Sequence, residues 1–230
     1  MLTMHSLLER NWQVICHDSQ YSSDDVTMLT KGCASSVVRY FRHRPQVEQN
    51  KLFVFVIRNN FEGMISYFVA SALRLKAWIV NIHDLDIVDM LVDTDCIAAL
   101  VMSNEVRDIN TINQRINISF DRCSTLASEK LDGFTEYTCA RFYFCTSGTT
   151  STPKLIQYHE NTLIENACAV SQYLKLGNED RSLCYFPVQY MYGLSTMLCA
   201  FLSESRLVFE NSTSAILVNL FHTTALPICL

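Results

Sequence analysis

The chain predicts an α/β fold, a mostly parallel or mixed sheet flanked by helices, on three observations. Short apolar runs alternate with stretches of helical period from Ser23 to Phe209. One run, Leu52-Phe53-Val54-Phe55-Val56-Ile57, is continuously apolar, as a strand buried on both faces of a parallel sheet requires. The helical stretches carry apolar residues on a three- and four-residue period. Strand and helix in alternation is the pattern of βαβ units.

Each element follows from local chemistry. Between Ser23 and Phe41, Val26, Leu29, Cys33, Val37 and Phe41 form the apolar stripe of a half-buried helix. Ser22 or Ser23 offers its cap, and Asp24 and Asp25 suit the positive end of its dipole. Arg39, Arg42, His43 and Arg44 suit the opposite end. After the Pro45 turn and the strand at Leu52–Ile57, Asn59 and Asn60 can cap a helix bearing Met64, Ile65, Phe68, Val69 and Leu73 on one side. Ala77–Val80 reads as a strand, Leu85–Val92 as a helix and Ile97–Met102 as a strand. Between Ser103 and Glu136 asparagines break the apolar runs, and only Ile116–Phe120 looks extended. Beyond it, Phe142–Cys145 is β-rich and Leu155–His159 alternates as a strand. Glu160–Lys175 reads as a helix with Leu163, Ile164, Ala167 and Val170 inward, and Arg206–Phe209 as a last strand.

Composition narrows the functional classes. The 230 residues are 49% hydrophobic, enough for a substantial core. A net charge of −5 argues against a nucleic-acid partner or an anionic-membrane surface. No apolar stretch is long enough to span a bilayer. The 10 cysteines never fall as Cys-x-x-Cys and mostly sit inside apolar runs. That suits reduced thiols in a cytoplasmic chain and gives no zinc or disulfide framework. The six histidines are scattered; His159, at a strand-to-helix junction, is expected to make a helix-entry hydrogen bond. Asp84, Asp86, Asp89, Asp93 and Asp95 are expected to form a solvated helix face.

The chemistry concentrates in Thr146-Ser147-Gly148-Thr149-Thr150-Ser151-Thr152-Pro153-Lys154, directly after the β-rich run. Gly148 permits close approach of a ligand to the main chain. Successive amides in such a loop can form an anion nest, the hydroxyls add donors, and Lys154 adds a point charge that grips phosphate. The loop reads as a polyphosphate cradle. It lacks the second glycine of a Walker loop, the three spaced glycines of a dinucleotide fingerprint and the Gly-x-Ser-x-Gly of a nucleophile elbow.

What remains resembles the signature loop of the adenylate-forming, or AMP-binding, synthetases, Thr-Ser-Gly-Thr-Thr-Gly-x-Pro-Lys-Gly. Ser151 and Leu155 stand where that family usually has glycine. A second segment, Pro187-Val188-Gln189-Tyr190-Met191-Tyr192-Gly193-Leu194, resembles the family's Pro-x-x-His-x-Tyr-Gly-Leu, with Tyr190 in the histidine's place. Asn59-Asn60-Phe61-Glu62 fits the family's Asn-x-x-Glu opening, and Lys76 stands where it commonly ends the following helix with glycine.

The resemblance, which spans about residues 24–210, implies a ligase of the acyl-CoA synthetase or peptide-synthetase adenylation type. Such an enzyme joins a carboxylic acid to ATP with Mg²⁺, and an acceptor thiol of CoA or a carrier protein then takes the acyl group. It implies that Thr146–Lys154 binds the nucleotide phosphates and that Tyr190 and Gly193 border the substrate cleft. Residues 1–230 are then part of the large domain, without the carboxyl-terminal lid, and the chain is a fragment inactive by itself. Two alternatives stand beside this: a non-catalytic remnant or interaction protein that keeps the fold, and an unrelated α/β phosphate-binding protein.

Overall fold

A computed structural model describes residues 2–16, 19–42, 51–93, 96–103, 115–118, 120, 137–146 and 153–209. Among them, strands β1 (Gln13–Cys16) and β2 (Ser19–Ser22) precede helix α1 (Ser23–Arg42). Strand β3 (Leu52–Ile57), helix α2 (Asn60–Ala72), strand β4 (Lys76–Asn81), helix α3 (Leu85–Leu91), strand β5 (Ile97–Ser103) and strand β6 (Arg115–Ile118) follow. A hairpin of β7 (Arg141–Cys145) and β8 (Leu155–His159) then leads into helix α4 (Glu160–Leu174). Strand β9 (Arg181–Cys184), helix α5 (Met191–Leu202) and strand β10 (Arg206–Phe209) complete the order.

Two sheets form where the sequence suggested one. The larger has the order β6-β5-β3-β4-β7-β8, all neighbours parallel except the terminal β7–β8 pair. The smaller has the order β2-β1-β10-β9, with β1, β10 and β9 parallel and β2 antiparallel to β1. The continuous apolar run of β3 is explained by its two faces. Phe53, Phe55 and Ile57 enter the main core, while Leu52, Val54 and Val56 join a second cluster with Trp78, Val80 and Val88. The alternation of a strand sends successive side chains to opposite faces, and here both faces are dry.

Helix α2 is buried from Asn60 to Ser71, all round rather than along one stripe. It packs against β3 and β4, and Phe68 meets both Trp12 and Phe201. A helix apolar on every side belongs inside a core, and α2 is that element here. Its end also differs from expectation: the left-handed residue that closes it is Arg74 (φ 53°), not Lys76, which opens β4.

Local capping follows the sequence. Ser22 and Asp25 exchange hydrogen bonds at the start of α1: Ser22 N–H and Oγ–H donate to Asp25 Oδ2, and Asp25 N–H donates back to Ser22 Oγ. At α2, Asn59 Oδ1 accepts from Glu62 N–H, while Glu62 accepts from the main chain and guanidinium of Arg58. The Asn-x-x-Glu opening thus caps the helix through Asn59, and Glu62 ties back to the preceding residue, Arg58. Of the cationic run expected after α1, Arg39 and Arg42 lie in its last turn; His43 and Arg44 lie outside the described residues.

A candidate nucleotide site at the ends of β4 and β7

The β7–β8 hairpin carries the hydroxyl-rich loop at its open end. Thr146 follows the last residue of β7, and Lys154 precedes the first of β8. Two hydrogen bonds join them: Thr146 N–H donates to the Lys154 carbonyl at 2.9 Å, and Lys154 N–H donates to Thr146 Oγ1 at 3.0 Å. Thr146 therefore closes the neck with both its main chain and its hydroxyl. Lys154 is exposed and Pro153 half-buried. Ser147, Gly148, Thr149, Thr150, Ser151 and Thr152 lie outside the described residues.

The opposite end of the hairpin is anchored in the core. Glu160, the first residue of α4, is fully buried. Its carboxyl accepts from Met4 N–H, from Ser71 Oγ–H and from Ala140 N–H, while its own N–H donates to the Ala140 carbonyl. Burial pushes this carboxyl above the usual range, and the three donors partly offset that. His159 does not make the expected helix-entry bond; its ring nitrogen lies 3.9 Å from Cys139 Sγ instead. The Glu160 carboxyl serves donors outside α4, and its only signal in the sequence was an acid at a helix start.

The second motif arrives beside the neck. Tyr190 is the N-cap residue of α5 and half exposed, with its hydroxyl 3.5 Å from Asp84 Oδ2. Partial burial, then the negative Asp84, then Cys145 at the end of β7, hold the Tyr190 phenol above its ordinary range. Cys145 is raised by burial and by the same Asp84. Tyr190, Asp84 and Cys145, from three separate segments, thus converge where β4 and β7 end. Open α/β sheets bind ligands beyond the carboxyl ends of their parallel strands. Asp84 is a correction to the solvated acidic face: it is half-buried at the site, whereas Asp86, Asp89 and Asp93 are exposed. Its signal was position, three residues past the end of β4.

Gly193 has a packing reason. A Cβ there would sit 2.4 Å from the Pro187 carbonyl oxygen and 2.6 Å from that of Phe186. Helix α5 can approach the Phe186–Pro187 main chain only because this side chain is missing. The turn is held from the other side by α2. Asn60 Oδ1 accepts from Val188 N–H at 2.9 Å, and Tyr67 O–H donates to the Val188 carbonyl at 3.0 Å. Asn60 was read only as a cap, so its contact 128 residues away went unseen.

Comparison with known proteins gives the family and the fold. The family model described as AMP-binding enzyme matches residues 104–226, more than half of the 230-residue chain, and the chain belongs to that family. Its fold is that of solved acyl-CoA ligases. The o-succinylbenzoate CoA synthetase of Bacillus subtilis, in complex with its acyl-adenylate intermediate, superposes with a TM-score of 0.71 at 16% identity, covering 96% of this chain and 58% of that one. The inhibitor-bound N-terminal domain of FACL13 from Mycobacterium tuberculosis gives 0.67 at 14% identity, covering 95% and 59%. A putative long-chain-fatty-acid CoA ligase from Rhodopseudomonas palustris gives 0.66 at 14% identity, covering 90% and 57%. The chain spans between 57% and 59% of the length of these three structures. No curated protein matched the sequence. Among the described residues no helix is long and apolar enough to cross a membrane.

Proposed function

We propose that this chain supplies the phosphate-binding half of the large domain of an AMP-forming ligase that activates a carboxylic acid. The observation that carries this reading is the convergence of the loop neck with Tyr190 and Asp84 where β4 and β7 end. Thr146 and Lys154 are joined by two hydrogen bonds beside the end of β7, and the segment between them is rich in hydroxyls. Those groups fit the triphosphate of ATP, with Ser147, Gly148, Thr149, Thr150, Ser151, Thr152 and Pro153 between them. Mg²⁺ keeps most of its waters and is held largely through substrate phosphates; it would neutralise charge on the phosphates. The donor set suits this, since the loop brings hydroxyls and amides rather than a carboxylate cage.

Tyr190, with Gly193 shaping the turn behind it, would border the cleft in which the acid meets the α-phosphate. Two anions must approach each other there, so preorganised donors and cations carry the stabilisation. The acceptor would be the thiol of CoA or of a carrier protein, in the cytoplasm.

Titration calorimetry with ATP and with pyrophosphate tests the loop. Lys154→Ala should weaken binding roughly ten- to hundredfold, as loss of a charge-assisted hydrogen bond worth about 1.5–3 kcal/mol implies. Lys154→Arg should recover only part, because a planar fork replaces a point charge. Equal affinity in wild type and Lys154→Ala rejects the role. The 230 residues expressed alone are expected to catalyse no carboxylate-dependent pyrophosphate exchange. The family's adenine-contacting Tyr-Gly-x-Thr-Glu segment does not occur among them, and positioning dominates such a reaction. Exchange supported by any of a panel of fatty, aromatic or amino acids overturns that expectation.

A further inference from the structure

We infer that Asn60, assisted by Tyr67, is a positioning residue for the substrate cleft: it fixes the Phe186–Val188 main chain and thereby the place of Tyr190 opposite the loop neck. This rests on the reading of Tyr190 as a cleft residue, but the grip itself is read from contacts. Asn60, Gly63 and Tyr67 recur at three and four residues and so share one face of α2. Asn60 is buried at 6% exposure and uses both ends of its amide. Its oxygen accepts from Val188 N–H at 2.9 Å and its nitrogen donates to the Phe186 carbonyl at 3.4 Å. Tyr67, 1% exposed, donates to the Val188 carbonyl at 3.0 Å. Gly63 leaves room between them: a Cβ there would lie 2.4 Å from Val188 Cγ2. The face is a socket for the Phe186–Val188 main chain and the Val188 side chain.

The grip passes to Tyr190 through a short rigid path. Tyr190 N–H donates to the Pro187 carbonyl at 3.1 Å, and the Tyr190 carbonyl accepts from Leu194 N–H at 3.0 Å. Tyr190 is thus tied to the residue before Val188 and to the first turn of α5. Among the described residues its half-exposed ring makes one polar contact, the 3.5 Å approach of its hydroxyl to Asp84. Ring placement therefore follows the backbone, and the backbone follows Asn60. The cap of α2 is made by Asn59, and Glu62 bonds Arg58, so the Asn60 amide serves the turn.

The test places 3-fluorotyrosine at position 190 and follows its fluorine resonance near neutral pH, alongside thermal unfolding. Asn60→Ala should move the resonance toward that of free fluorotyrosine while unfolding stays cooperative. Asn60→Asp, which keeps the acceptor but turns an oxygen toward the Phe186 carbonyl, should give a smaller move in the same direction. Tyr67→Phe removes one hydroxyl and supplies the readout should Asn60→Ala fail to fold. A residue that only stabilises the fold would lower the unfolding temperature and leave the fluorine signal of folded protein unchanged; that result in Asn60→Asp and Tyr67→Phe overturns the inference. Adding Mg-ATP separates the two proposals. A Tyr190 signal that follows Asn60 yet ignores Mg-ATP upholds the positioning role and counts against the nucleotide site.

Discussion

The loop neck and the Phe186–Gly193 turn both reach the ends of β4 and β7 and are held by different means. At the neck, Thr146 and Lys154 meet through two hydrogen bonds, and Lys154 is exposed. At the turn, buried side chains of α2 take hold of the main chain from one side, and the missing side chain of Gly193 admits it from the other. A region fastened to its own hairpin can change its outer residues with little effect on the core. A region gripped by distant elements cannot. Mutations on the two sides should therefore divide into those that alter ligand affinity and those that alter stability.

The largest expected effect lies at the fixed end of the loop's own hairpin. Glu160→Ala leaves the Met4 N–H, Ser71 hydroxyl and Ala140 N–H without their acceptor. Unpaired buried donors cost about 1–3 kcal/mol each, so roughly 3 kcal/mol in total is expected after local relaxation, read as a lower denaturant midpoint. Gly193→Ala comes next: a methyl forced against two carbonyls should cost about 2 kcal/mol, within the usual range for overpacking. Lys154→Ala should shift stability by no more than about 0.5 kcal/mol, as an exposed substitution does. An equal loss of stability in Lys154→Ala and Gly193→Ala would dissolve the distinction between neck and turn.

The smallest effect is a pH dependence. Burial raises the folded-state Glu160 carboxyl above its unfolded value, so the native state holds this proton to higher pH than the unfolded chain does. Its contribution is then fully present below the unfolded value, about 4.3, and is lost as pH rises through the folded one. The stability of wild type relative to Glu160→Gln should fall over that window and then level off. A difference that grows with pH would show that the three donors outweigh burial.

The sequence reading reached the larger sheet because its strands are long and uninterrupted; Leu52–Ile57 needed no context to be recognised. Of the smaller sheet only Arg206–Phe209 was read as a strand; its partners, four-residue strands far apart in the sequence, escaped. Gln13–Cys16 is half-buried in alternation and too short to carry a period by itself. The loop was read from residue type, glycine, hydroxyls and a lysine at fixed spacing, and its phosphate chemistry stands as a proposal. Asn60 was not, because an asparagine at a helix start has a local explanation that hides a distant one. Asp84 was misjudged for a related reason: five nearby acids look like one solvated face until a strand end singles one out.

The pairing of β1 with β10 has a consequence for how the chain is made. Gln13 lies opposite Arg206, so β1 leaves the ribosome long before β10, the strand it pairs with in parallel. Until then Trp12 lacks Phe201, whose ring packs 4.2 Å from its own, and Val14 lacks its covering sheet. Long-range parallel pairing is slow to form, and apolar surface left waiting invites association. Slowing translation between β1 and Arg206 should therefore lower the soluble yield more than slowing it after Phe209.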